Sequence, residues 1–159
     1  MRTLHELMDT VPQTGSVVWI GVRPARRQPL QSVQSIAAHT EYGLDGDHYS
    51  KQAGNRQVTL IQAEHLDAVA SMLGTASIDP GTVRRNIVVG GINLLALKDK
   101  RFRIGNAVLE YTGQCHPCSL MESALGPGGY NAMRGHGGIT ARVVGDGEIQ
   151  VGDPVMVDT

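Results

Sequence analysis

Apolar residues along this chain come in short runs broken by glycine and proline, not in long stripes. Runs that read as strands cover residues 17–22, 33–38, 57–61, 86–89, 102–104, 107–112, 139–144, 148–151 and 155–157. The second run is also compatible with a helix, because Leu30, Val33 and Ile36 recur at three-residue steps. One helix is clear: Leu66, Val69, Ala70 and Leu73 lie at i, i+3, i+4 and i+7, with Gly74 placed as a C-terminal stop. A shorter helix is expected to begin at Asp79-Pro80, a cap followed by proline in the first turn, and another to cover 119–125.

A weak internal echo points to closure. The stretch 102–108 parallels 149–155, each reading strand, Gly-Asn or Gly-Asp turn, strand. Gly145-Asp146-Gly147 is expected to form a further hairpin turn between Val144 and Glu148. Hairpins closed into a barrel leave no exposed edge. The fold class expected is mainly β, a closed β-barrel with a few short helices. No linker or composition shift divides the chain, so the expectation is one domain with its core over about 15–157.

Composition narrows the function classes. Glu6 and Asp9 interrupt the stretch where a signal peptide needs an apolar run, and no apolar stretch approaches the ~18 residues of a membrane span. The chain therefore reads as soluble and cytoplasmic, with no membrane partner. A net charge of −1 argues against a general nucleic-acid binder. Eleven of the fourteen basic residues are arginine, whose planar fork suits bidentate contact with phosphate or carboxylate.

Both cysteines sit in Cys115-His116-Pro117-Cys118, directly after a strand and the Gly113 turn. Two neighbouring cysteines are too few for a secreted disulfide framework, and reduced thiols fit better. With 119–125 helical, Cys118 lies at its N-terminal end, where backbone N–H groups favour a thiolate. Such a thiolate can attack, hold a persulfide or ligate a soft metal. The plain alternative is an inert buried cysteine. Thioredoxin-like exchange by the Cys-x-x-Cys needs a βαβ setting that the pattern lacks. Zinc is another candidate, with Cys115, Cys118 and either His116 or His136 as ligands, but no second ligand pair stands at the spacing of a closed structural site.

Three further segments carry candidate chemistry. Arg84-Arg85-Asn86 leads into the strand 87–89, where two guanidiniums and an amide can grip a phosphate and hydrogen-bond a heterocycle; a solvated surface pair is the plain alternative. Residues 43–48 form a glycine-punctuated acidic turn that offers Asp47 and His48 to a pocket, without the spaced carboxylates of a calcium loop. The stretch 126–138 has six glycines in thirteen residues, with Arg134 and His136 inside. It matches no phosphate-binding glycine motif and reads either as a mobile lid or as an ordinary long loop.

In chain order these segments are Gly43-Leu44-Asp45-Gly46-Asp47-His48, Val58-Thr59-Leu60-Ile61, Arg84-Arg85-Asn86-Ile87, Asn93-Leu94-Leu95, Ile104-Gly105, Thr112 through Cys118, and Ile149 through Asp153. That order resembles the MOSC domain, named after the C-terminal domain of molybdenum-cofactor sulfurase, over about 15–157. The resemblance implies a closed barrel of the pyruvate-kinase type. In relatives that reduce N-hydroxylated compounds (the mitochondrial amidoxime-reducing component and small bacterial stand-alone proteins), the cysteine matching Cys118 ligates molybdenum held by a pterin dithiolene. Arg84 and Asn86 match the arginine and asparagine of a cofactor-binding Arg-Pro-Asn, and Arg85 stands where those relatives have proline. The family is also associated with pyridoxal phosphate.

The resemblance assigns expected roles to individual residues. Cys118 is the expected metal ligand of a bound molybdenum cofactor (molybdopterin). Arg84, Arg85 and Asn86 are expected to clamp the cofactor, and Thr112, Gln114, His116 and Ser119 to hydrogen-bond its pterin. His48 or His136 is expected to deliver a proton, since imidazole titrates near neutral pH. The activity expected is reduction of N-hydroxylated small molecules. No flavin, haem or iron–sulfur motif is visible, so electrons are expected from a separate electron-donor protein. A second reading makes Cys118 a persulfide carrier loaded by a cysteine desulfurase, with Cys115 as the thiol that releases the sulfur. A third is a cofactor-binding module without turnover. A homodimer is compatible with all three.

Overall fold

The computed structural model describes residues 1–49 and 54–159. In chain order its elements are α1 (Leu4–Met8), β1 (Gly15–Val22), β2 (Gln31–Val33), β3 (Ser35–His39), β4 (Gly43–Leu44), β5 (Val58–Gln62), α2 (Ala63–Leu73), β6 (Ile87–Gly90), β7 (Arg101–Ile104), β8 (Ala107–Gln114), α3 (Ser119–Leu125), α4 (Gly129–Met133), β9 (Ile139–Gly145), β10 (Gly147–Gln150) and β11 (Pro154–Val157). Short 3-10 turns cover Pro80–Val83 and Leu94–Leu97.

Seven strands close on themselves in the order β11-β7-β8-β9-β5-β6-β1, and β1 pairs back onto β11. β2 extends the sheet beside β1, and β10, β3 and β4 form a separate three-stranded sheet. The fold is mainly β with a closed barrel, as the hydrophobic pattern implied. All barrel pairs are antiparallel except β5 and β6, which run parallel with Leu60 opposite Ile87. A parallel pair needs a long crossover, and α2 lies in that connection.

Side-chain alternation divides the interior into two cores. Leu60, Ile87 and Val89 point into the barrel with Phe102, Ile104 and Leu109. Ile61 and Val88, one residue out of phase, pack outward against Leu66 and Val69 of α2, Met121 of α3 and Met133 of α4. Both faces of β5 and β6 are thus buried, which explains their continuous apolar runs. α2 ends where Gly74 adopts φ +71° and its N–H reaches the carbonyls of Ala70 and Ser71. No helix among the described residues is long and apolar enough to cross a membrane.

Several expectations need correction. The run 33–38 is neither one strand nor a helix but β2 and β3, separated at Gln34. Gly145-Asp146-Gly147 is not a hairpin turn, because β10 pairs with β3 instead of β9. Asp146 accepts the Thr40 N–H at 2.7 Å there, so the turn carries the chain from the barrel to the side sheet. Gly152-Asp153 performs the reverse transfer, since β11 returns to β7 and β1. Only the first copy of the echo, β7 and β8, is a hairpin.

The glycine-rich stretch 126–138 is neither lid nor plain loop. It contains α4, which buries Ala132 and Met133 in the second core. A Cβ on Gly137 would lie 1.9 Å from the Cys115 carbonyl oxygen, and one on Gly138 would lie 1.8 Å from that of Leu60. These glycines permit backbone-to-backbone packing, and the segment is locked down by it.

Candidate functional site

Strand direction gathers the candidate residues at one barrel end. β5 and β6 are parallel, so both begin there, and β1, antiparallel to β6, finishes there. Arg23 follows β1, Arg56 and Thr59 open β5, and Arg84, Arg85 and Asn86 precede β6. They line a cleft of about 230 Å³ with Asp47, Tyr49, Cys118 and Met121.

Asn86 ties the cleft floor together. Its Oδ1 accepts from the Thr59 N–H and from Thr59 Oγ1, both at 3.1 Å. Its Nδ2 donates to the Gly21 carbonyl at 3.1 Å and to Asp47 Oδ1 at 3.4 Å. A primary amide has two lone pairs and two N–H groups, so all four places are filled. Asn86 therefore positions β1, β5, β6 and the 43–48 turn, and leaves nothing over for a ligand.

Asp47 fixes the other wall. Its Oδ1 also accepts the Arg23 N–H at 2.9 Å, while the His48 N–H donates to the Arg23 carbonyl. Burial pushes the Asp47 carboxyl above its ordinary range, against the pull of hydrogen bonds from nearby N–H groups and from Asn86.

Arg85 is only 6% exposed. Its Nε donates to the Gly137 carbonyl at 2.9 Å and its Nη1 to the Val83 carbonyl at 2.8 Å. Nη2 carries no hydrogen bond among the described residues, and the side chain borders the cleft. Burial lowers the Arg85 pKa, Cys115 raises it, Arg56 lowers it and Cys118 raises it, so one guanidinium stands within electrostatic reach of both thiols. Arg84 borders the cleft half-buried, in a left-handed conformation at φ +62°. Among the described residues, none of Arg23, Arg56, Arg84 and Arg85 forms an ion pair with a carboxylate.

The two cysteines differ in exposure. Cys118 is exposed, opens to the cleft and stands as N-cap of α3 without using its side chain as a cap. Cys115 is 3% exposed and accepts from Arg56 Nη2 at 3.7 Å. It borders a separate chamber of about 30 Å³ with Gln62, His65, Gln114 and His116. That space holds a water-sized molecule or two. His65 Nδ1 is buried there with no partner among the described residues, and burial followed by the neighbouring His136 lowers its pKa.

The remaining candidates lie elsewhere. His48 is exposed and does not border the cleft. His136 bonds the Ala132 carbonyl through Nδ1 at 2.9 Å and meets His65 edge to face with ring centres 4.9 Å apart. Thr112 Oγ1 bonds the Asn55 carbonyl and Thr140 Oγ1, Ser119 opens α3 outside the cleft lining, and Gln114 and His116 belong to the Cys115 chamber. Among the described residues, no group of three or more His, Cys, Asp or Glu is arranged to hold a metal ion by itself. Sequence reasoning missed Arg23 and Arg56. The available signal was position: each lies within two residues of the end or start of an apolar run.

A family model for the MOSC domain matches residues 43–156. The chain is similar in structure to the YuaD protein from Bacillus subtilis, with a TM-score of 0.79 and 21% identity over 93% of this chain and 98% of that one. YiiM from Geobacillus stearothermophilus gives 0.73 and 17% over 91% and 75%, and YiiM from Escherichia coli 0.69 and 16% over 91% and 70%. No curated protein matches the chain.

Proposed function

Because the chain belongs to the MOSC domain family, which is associated with molybdenum-cofactor binding, we propose that its cleft binds that cofactor and that the protein reduces N-hydroxylated small molecules. The observation that carries the reading is an exposed Cys118 thiol opening into the same cleft as four arginines that pair with no carboxylate among the described residues. The donor set suits the group: a thiolate is a soft ligand for a sulfur-bound metal, and guanidiniums bind phosphate oxygens in pairs.

Cys118 would hold the metal, with Arg23, Arg84 and Arg85 on the pterin phosphate. Hydrogen bonds to charged groups contribute about 1.5–3 kcal/mol each, so three such contacts retain a small anion firmly. When bound, the cofactor supplies two-electron chemistry that a polypeptide lacks. Leu120 and Met121 add apolar surface to the cleft lining. Reduction of an N-hydroxy group consumes two electrons and two protons and releases water. Asp47 is the group in the cleft best placed to hold one of those protons, because burial keeps its carboxyl protonated to higher pH. It takes over the role expected of His48 or His136, neither of which borders the cleft. Electrons come from a separate donor protein.

A persulfide carrier uses the same exposed Cys118. Cys115 does not suit the release step, since its thiol is buried and held by Arg56. Sulfur would instead pass to an external acceptor thiolate, which becomes the persulfide as the Cys118 thiolate leaves. The deciding experiment is turnover: cofactor-loaded protein with a reduced viologen dye converts an amidoxime to the amidine, and Cys118→Ala does not. Bound pterin without turnover of any N-hydroxy compound would leave a binding module.

A further inference from the structure

Positive charge at the cleft end of the barrel extends beyond what the cleft encloses. The turn after β1 carries Arg26 and Arg27, both exposed. Arg27 borders a groove of about 380 Å³ that shares Arg84 and Leu30 with the cleft. Among the described residues, Asp47 is the one acidic residue in the two linings, and its Oδ1 is occupied by the Arg23 N–H and Asn86. Neither Arg26 nor Arg27 forms an ion pair with a carboxylate among the described residues. The whole chain has a net charge of −1, so the excess is local.

Two of these arginines stand where the backbone favours glycine. The Gln28 N–H donates to the Ala25 carbonyl at 3.2 Å, so residues 25–28 form a turn with Arg27, at φ +67°, in its third place. Glycine or asparagine is usual at positive φ there. Arg84 closes the 3-10 turn Pro80–Val83 at φ +62°, again a glycine position. A side chain makes such conformations costly, and the strain gathers at binding segments. Pro24 and Pro29 bracket the turn and restrict its backbone. A loop fixed in advance loses little entropy when it meets a partner.

The surface has the composition of a protein interface. Every basic residue described in the two linings is arginine, and Leu120, 51% exposed, adds an apolar spot at the cleft. Arginine is enriched at interfaces and lysine depleted, and apolar contacts supply their centre.

We infer that the turn 24–29 and the groove beside it dock the acidic face of a small electron-transfer protein, the donor that the proposed reaction requires. The inference rests on the reading above and adds where that donor binds. A protein seated on Arg26, Arg27 and Arg84 meets the cleft at the wall it shares with the groove. Redox encounters bury less than about 1,200 Å² and are steered by charge, so a rim of a few arginines suffices. For each substrate molecule the donor gives up two electrons, which with two protons convert the N-hydroxy group to N–H and water.

The test compares two electron sources on the cofactor-loaded protein. Reduced viologen dye needs no docking surface, whereas a reduced acidic flavodoxin does. In the double variant, Arg26→Glu reverses a charge, and Arg27→Asn removes one while suiting the left-handed conformation. The variant is expected to keep the viologen-driven rate and the substrate KM, and to raise the KM for flavodoxin about tenfold. The flavodoxin-driven rate of the unaltered protein should fall as salt rises from about 0.05 M to about 0.3 M, and that of the variant should fall less. Absence of flavodoxin-driven turnover, or an equal flavodoxin KM in both proteins, overturns the inference and leaves the function standing so long as viologen drives the reaction. No turnover with viologen overturns both. Binding of a single-stranded oligonucleotide by the unaltered protein alone, with the flavodoxin KM unchanged in the variant, gives the arginines to nucleic acid and overturns the inference.

Discussion

Thr59 and Asn86 exchange hydrogen bonds in both directions across the mouth of the barrel. The Thr59 N–H and hydroxyl donate to Asn86 Oδ1, and the Asn86 N–H approaches Thr59 Oγ1 and the Thr59 carbonyl, each at 3.0 Å. The pair sets where β5 and β6 begin, and so where Arg56, Arg84 and Arg85 stand. Its role is to hold the cleft's shape.

Asn86→Leu keeps the volume and removes the partners of the Thr59 N–H, the Thr59 hydroxyl and the Gly21 carbonyl. Each orphaned buried group costs about 1–3 kcal/mol, so the three together should cost roughly 3–9 kcal/mol. Denaturant unfolding measures it as a lower midpoint; a change within error of zero would show that Asn86 is not the tie described.

Gly137 and Gly138 test the packing of the glycine-rich stretch. Alanine at either drives a Cβ into a carbonyl oxygen, and the cost should be about 3 kcal/mol or more. Gly135→Ala is the control: φ is +80° but nothing lies within 4 Å, so about 1–2 kcal/mol of backbone strain is expected. Thermal melts should rank Gly135→Ala well above the other two.

The thiols should differ in access. Iodoacetamide at neutral pH is expected to alkylate Cys118 in the folded protein and Cys115 only on unfolding, since one is exposed and the other 3% exposed. Peptide mass spectrometry reads the order, and equal labelling would contradict the difference in exposure.

Asp47 gives a pH dependence of definite sign. Its folded-state pKa lies above the unfolded value, so the folded state binds the proton more tightly. Stability from this group is greatest with the carboxyl protonated and falls as pH rises from the ordinary carboxylate range through the folded value. Asp47→Asn should flatten that slope, measured as unfolding free energy against pH.

Much of the fold was legible in the sequence, for physical reasons that also mark the limits. β5 and β6 read clearly because both faces are buried, and α2 because its apolar stripe and Gly74 agree. α1 left no signal because it buries no residue. α4 was hidden by glycines whose purpose is close packing, a tertiary fact. The Gly145-Asp146-Gly147 turn looked like a hairpin because turn chemistry is local, while the choice of β3 as partner is not. At the site, Cys118, Arg84 and Arg85 stood out as unusual neighbours in sequence. Arg23 and Arg56 are ordinary in their local context and join the cleft only when β1 and β5 meet at one end.

Metal content of matched variants tests the central claim most directly. Protein produced with its cofactor should contain molybdenum and pterin in equal amounts, and Cys115→Ser should keep both. Cys118→Ala should lose most of the molybdenum, while Arg84→Ala should lose the pterin as well. Full molybdenum retention in Cys118→Ala would contradict the account.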